Sequence, residues 1–93
     1  MIVRFRKAAA VEAQYEQRRG GLGVKELRSS VEAIRRGATS FPLIAGSADI
    51  RQTLMSRFPY GVFFLVRDDV AFVIAVAHLR REPGYWKGRF RGR

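Results

Sequence analysis

The stretch from Phe58 to Trp86, FPYGVFFLVRDDVAFVIAVAHLRREPGYW, sets the terms for any fold of this chain. It reads as two apolar strands joined at Asp68-Asp69 and followed by a basic, aromatic tail. With Asp68-Asp69 as the two turn residues, Arg67 pairs with Val70, Leu65 with Phe72 and Phe63 with Ile74. Aspartate tolerates the geometry of a tight hairpin turn, although Asp-Gly signals it more strongly. One face of the hairpin then carries Phe63, Leu65, Phe72, Ile74 and Val76. The other carries Tyr60, Val62, Phe64, Val66, Ala71, Val73, Ala75 and Ala77. Strands apolar on both faces belong at the centre of a sheet that is covered on both sides.

Material for one cover lies upstream. Ile2-Val3-Arg4-Phe5-Arg6 alternates apolar and basic residues with period two, which suits a short strand, and its arginines suit an exposed sheet edge. Helix formers follow from Lys7 to Arg19, with Val11 and Tyr15 four apart on one face. Arg18 and Arg19 sit where a helix C-terminus favours positive charge, and Gly20-Gly21 can supply a left-handed cap. A second helix fits Val24 to about Arg36, with Val24, Leu27, Val31 and Ile34 as a continuous stripe and Glu32–Arg36 as a favourable pair. Gly37 ends it. Joined by Gly20-Gly21-Leu22-Gly23, the two helices are expected to form a hairpin with one shared apolar face. Ala38 to Ser47 reads as loop around Phe41-Pro42. Asp49 to Leu54 reads as a strand with Ile50 and Leu54 inward. The second cover of the sheet falls to the C-terminal tail, a partner chain, or both.

The chain is thus read as a single α+β domain over residues 1–93, in the order β-α-α-β-β-β. Its net charge of +10, from 18 Lys and Arg against 8 Asp and Glu, is extreme for 10.6 kDa. Such a balance points to a polyanionic partner (nucleic acid, an acidic protein or a membrane surface), with solubility alone as the plain alternative. There are no cysteines and one histidine, His78, so disulfides and thiolate metal sites are excluded and a dedicated zinc site is disfavoured. The longest apolar run, Val70 to Ala77, is far short of the ~20 residues that span a bilayer. The start of the chain carries no apolar signal-peptide core, and the expected location is the cytoplasm.

Chemistry is sparse. No nucleophile elbow, P-loop or dinucleotide-binding glycine pattern occurs, and no metal or cofactor is expected. His78 is the default general base, with a histidine bonded to a backbone carbonyl as the structural alternative. The tail from Arg80 to Arg93 holds six Arg or Lys and one Glu, so half of the net charge sits there. Arg80, Arg81, Lys87 and Arg89 are interleaved with Tyr85 and Trp86. Guanidinium groups bind phosphates bidentately and aromatic rings stack on unpaired bases. The same residues would grip an acidic peptide, or Tyr85 and Trp86 would simply close the sheet.

Taken together, Arg57-Phe58-Pro59-Tyr60-Gly61-Val62-Phe63, the Asp68-Asp69 turn, Ala75-Val76-Ala77-His78 and Arg80-Arg81-Glu82-Pro83 before Tyr85-Trp86 resemble the ParE/RelE superfamily. Tyr15-Glu16, Gly21-Leu22-Gly23, Val31-Glu32-Ala33-Ile34, Phe41-Pro42 and Ile50-Arg51 follow the ParE-like pattern, so the resemblance spans nearly the whole chain. These proteins are toxins of bacterial type II toxin–antitoxin modules, associated with plasmid stabilization. The resemblance implies a helix hairpin on a small curved antiparallel sheet and a cognate acidic antitoxin. RelE-type members cut messenger RNA on the ribosome with arginines, lysines and a C-terminal tyrosine. ParE-type members are not nucleases, and several poison DNA gyrase.

The RelE pattern wants an arginine where Gly61 stands and another where Leu79 falls; only Tyr85 matches its C-terminal tyrosine. That departure favours the ParE branch, while the first helix is about one turn shorter than the ParE pattern has it, which is the ground for reading an inactive toxin. The expectation is therefore a ParE-like toxin that binds a macromolecular target, most plausibly DNA gyrase. Its candidate target or antitoxin contacts are Arg57, Tyr60, His78, Arg80, Arg81, Tyr85, Trp86, Lys87 and Arg89. The alternative is a RelE-type endoribonuclease using Arg80, Arg81 and Tyr85. A plain nucleic-acid-binding domain and an inactive toxin are the remaining readings.

Overall fold

Between Tyr60 and His78 the chain forms the hairpin that its sequence demands, in a computed structural model that describes residues 1–19, 21–55 and 59–79. The described elements run β1 (Ile2–Phe5), α1 (Lys7–Arg18), α2 (Val24–Gly37), β2 (Arg51–Leu54), β3 (Tyr60–Arg67) and β4 (Val70–His78), with a 3₁₀ turn at Ala38–Ser40. This is the expected β-α-α-β-β-β order. The four strands form one sheet in the order β1-β4-β3-β2, which puts the β3–β4 hairpin at its centre. The sheet is mixed where an antiparallel one was expected: β1 runs parallel to β4, while β2–β3 and β3–β4 are antiparallel. With the helices intervening, β1 reaches the far edge of the sheet as a crossover strand beside the last strand instead of as a hairpin partner.

The turn is as the sequence reads. Asp68 and Asp69 have φ of 52° and 63°, the pair of positive values that a two-residue hairpin loop of primed type requires. Arg67 pairs with Val70 and Leu65 with Phe72 as expected. Further along, the register shifts between Phe63 and Phe64. Phe63 pairs with Ala75 and Phe64 with Val73, so Ile74 is an extra residue in β4.

That bulge corrects the expected faces. A single inserted residue reverses the side to which every later side chain points. Ile74 and Ala75 consequently share a face with Phe63 and Ala77, while Val76 joins Tyr60, Val62, Phe64, Ala71 and Val73 on the opposite one.

The helices cover the face of Tyr60, Val62 and Phe64. Helix α1 lies along β4, and α2 lies against β1 and β2. Ile34, Ala9, Ala13, Leu22 and Ala38 complete the main core with Met55. The apolar stripe of α2 is largely as expected, with Ile34 buried and Leu27 and Val31 half-buried, but Val24 is exposed. In α1 the expected face is wrong: Val11 and Tyr15 point outward, and Ala9, Ala13 and Glu16 are the buried residues.

The second face is covered by Ile44, Ile50, Leu65 and Leu79, packed on Phe63, Ile74, Ala75 and Ala77. Part of the cover expected from a tail or partner is therefore a loop. The Arg51 guanidinium holds it by donating to the Phe41 carbonyl at 2.6 Å, and Phe41 itself packs edge-on against Phe64 at 5.8 Å. Strand β2 starts two residues later than expected. The Ser47 hydroxyl accepts from the amides of Asp49 and Ile50 at 3.3 and 2.9 Å, which turns the chain there instead of extending it. Thr53 and Met55 face inward, and Leu54, expected inward, is exposed.

Two outcomes test this architecture. Phe64→Ala will lower unfolding stability by about 3–5 kcal/mol, whereas Leu54→Ala will stay within about 0.5 kcal/mol, as read by denaturant titration. Asp69→Gly will raise the unfolding midpoint, because glycine adopts a positive φ without steric cost.

Candidate functional site

At the open end of the hairpin, Tyr60 faces His78 across the strand pair. Their rings meet edge to face, with centroids 5.1 Å apart and planes at 82°. Tyr60 is buried, and its hydroxyl donates to Glu16 Oε1 at 3.0 Å. Glu16 lies in the last turn of α1 and is only 2% exposed. Its backbone carbonyl accepts from the amides of Gly21 and Leu22, both at 3.3 Å, so the residue that ends the helix also receives the sheet's tyrosine. Gly21 completes the arrangement, since a methyl group there would collide with the Tyr60 hydroxyl.

One turn earlier, Glu12 Oε1 accepts the amide of Val76 at 3.1 Å. Strand β1 pairs with β4 only as far as Val73. Beyond that point no described strand neighbours this edge of β4, and a carboxylate from the overlying helix takes up its N–H. A buried amide left without an acceptor would cost about 1–3 kcal/mol.

The chemistry of this cluster is structural first. Tyr60 has no exposed hydroxyl to offer a partner. His78 continues the row of Val76 as expected, and the bulge places that row on the helix face. Its Nδ1 is buried and has no hydrogen-bond partner among the described residues, so the backbone-carbonyl bond of the structural alternative is not made there by any of them. The Leu79 amide donates to the Pro59 carbonyl at 2.9 Å and fixes the direction in which the chain leaves β4. The other candidate contacts, Arg57, Arg80, Arg81, Tyr85, Trp86, Lys87 and Arg89, lie outside the described residues.

Gly61 and Leu79 are brought together. A Cβ on Gly61 would lie 3.3 Å from Leu79 Cδ1 and 3.4 Å from Cδ2. The two positions where the RelE pattern wants arginines are therefore adjacent in space, and here an apolar side chain closes over a buried glycine.

Glu12, Glu16, Gly21 and Arg51 escaped the reading of candidate residues. The available signal was the spacing of the two glutamates, four apart and in step with Ala9 and Ala13, which marks a second possible inner face for α1. Among the described residues no group of three His, Cys, Asp or Glu side chains could hold a metal ion. No described helix is long and apolar enough to cross a membrane.

No family model matches the chain, and no curated protein matches it. Solved structures do. A chain of the intact E. coli RelBE toxin–antitoxin complex superposes with a TM-score of 0.66 at 20% identity, over 86% of this chain and 98% of that one. The isolated E. coli RelE toxin gives 0.66 at 19% identity, over 95% of this chain and 94% of that one. A free E. coli RelE variant with two arginines replaced by alanine gives 0.65 at 18%, over 85% and 83%. The fold expected from the ParE/RelE resemblance is thus the fold of this chain, and it is shared with RelE.

Tyr60→Phe will destabilise the protein by about 1–3 kcal/mol, because buried Glu16 loses a donor. Gly21→Ala will also destabilise it, and its cost will be smaller in the Tyr60→Phe background, where the hydroxyl is gone. A double-mutant cycle of urea midpoints measures this coupling.

Proposed function

We propose that this chain is the toxin of a type II toxin–antitoxin pair, a RelE-like endoribonuclease that acts on messenger RNA at the ribosome and is neutralised by an acidic antitoxin. The observation that supports it is the extent of the likeness to isolated RelE, which leaves only a small part of either chain unmatched. The likeness moves the leading target from DNA gyrase to the ribosome. The RelBE complex supports the antitoxin, for which the net charge of +10 is well suited.

On this reading Arg80 and Arg81 stabilise charge on the phosphate under attack, and Tyr85 handles the proton of the reacting hydroxyl. Arginine serves this purpose without a metal because its fork of donors matches phosphate oxygens.

A second reading has one specific observation in its favour. The apolar contact between Leu79 and Gly61 replaces the arginine pair of the RelE pattern, which suits a ParE-like toxin that binds its target without cutting RNA.

Induced expression in a bacterial host, scored for growth, message integrity and DNA supercoiling, separates the two. The expected result is growth arrest with messages cut during translation. Tyr85→Phe will lower cutting by about a hundredfold, in line with loss of one acid–base group. Arrest with intact messages and relaxed or cleaved DNA would transfer the assignment to the gyrase-directed reading.

A further inference from the structure

Helix α2 turns one side of itself away from the protein, and the composition of that side is selective. Lys25, Arg28, Ser29, Ala33, Arg35 and Arg36 are exposed there, with Glu32 half-buried among them. At 100° per residue, Lys25, Arg28, Ser29 and Arg36 fall together, opposite buried Ile34. Glu32 is engaged by Arg35 in an ion pair. Lys25, Arg28 and Arg36 have no carboxylate partner among the described residues.

Of the large apolar side chains that remain exposed, Met1, Ile2, Val11, Tyr15, Leu43 and Leu54 lie off α2, and Val24 borders the cationic stripe at the start of the helix, beside Arg28. This separation discriminates between partners. A protein partner needs apolar or aromatic anchors at the centre of its contact. A phosphodiester backbone needs only cations and hydroxyls at helical intervals. From Lys25 to Arg36 the stripe is about 16 Å long, the distance over which one nucleic-acid strand offers about five phosphates.

We infer that the outward face of α2, through Lys25, Arg28 and Arg36, is a docking surface for the phosphate backbone of structured RNA. It is separate from the tail beyond Leu79, and it holds the protein on its substrate assembly without reading sequence. The choice of RNA over DNA rests on the proposed action at the ribosome; the surface itself rests on the placement of charge.

The test measures binding of the full-length protein to a blunt RNA duplex of about 20 base pairs across a salt series. Lys25→Gln/Arg28→Gln/Arg36→Gln is compared with Lys7→Gln/Arg18→Gln/Arg67→Gln, which removes the same charge from other surfaces. Circular dichroism confirms that both variants fold. The α2 variant is expected to bind at least tenfold more weakly at about 100 mM salt, with a salt slope lower by about 0.9 for each lost contact; the control is expected to change the slope by less than about one.

Equal losses in both variants would reduce the effect to net charge and overturn the docking surface. Unchanged RNA binding in the α2 variant, with loss of binding to a poly-glutamate peptide, would overturn it in favour of an acidic protein. Tighter binding to the matching DNA duplex than to RNA, lost in the α2 variant, would overturn the choice of RNA. Failure of the wild type to cut messages in translating extracts, with the α2 effect intact, would refute the nuclease reading and leave the docking surface standing.

Discussion

Helix α1 has little apolar surface with which to hold a sheet, and the molecule depends on how it is held. Ala9 and Ala13 are its buried apolar side chains, and neither brings much more than a methyl group to the contact. Position and orientation come from two glutamates on the same side, one accepting from the Val76 amide and the other from the Tyr60 hydroxyl. Alanine permits the close approach, and the carboxylates then reach groups on the sheet. Because both bonds are shielded from water, losing either partner leaves a desolvated polar group behind. The glutamates also settle the electrostatics of the surface. With both turned inward, the exposed charges of α1 and its C-cap are Lys7, Arg18 and Arg19.

Much of this architecture was legible in the sequence, and the failures share a cause. The aspartate turn and the first pairs beside it are local, so composition identified them. The bulge at Ile74 is not local: nothing in VAFVIAVAH marks which residue lacks a partner, and one unpaired residue reverses the alternation that follows. The inner face of α1 was misread because Val11 and Tyr15 are its large apolar residues, whereas the true inner face carries carboxylates. Their partners are 64 and 44 residues away in the chain, where no helical periodicity can show them. The parallel placement of β1 belongs to the same class, since a strand's neighbour is decided by the crossover and not by its own pattern.

The site was legible to a smaller degree. Tyr60 and His78 were singled out as contacts, and they do meet, but as a buried aromatic pair that closes the end of the hairpin. Arg51, taken only as part of a family pattern, instead anchors the loop that covers the second face. The contact between Gly61 and Leu79 gives physical content to a mere sequence departure. A Cβ at position 61 would press on the Leu79 methyls at 3.3 and 3.4 Å, so a larger side chain there requires Leu79 to shift.

The parallel pairing of β1 with β4 has a consequence for how the chain comes to exist. Ile2 precedes both helices in the chain, and its sheet neighbour is Val70, in the last described strand. Until β3 and β4 have left the ribosome, β1 has no ladder to join and α1 has neither the Val76 amide nor the Tyr60 hydroxyl to bind. Long-range pairings of this kind close late because the intervening loop entropy must be overcome first. The nascent chain is therefore unable to complete this core until β4 has emerged, and β1 and α1 wait on a strand that is made long after them.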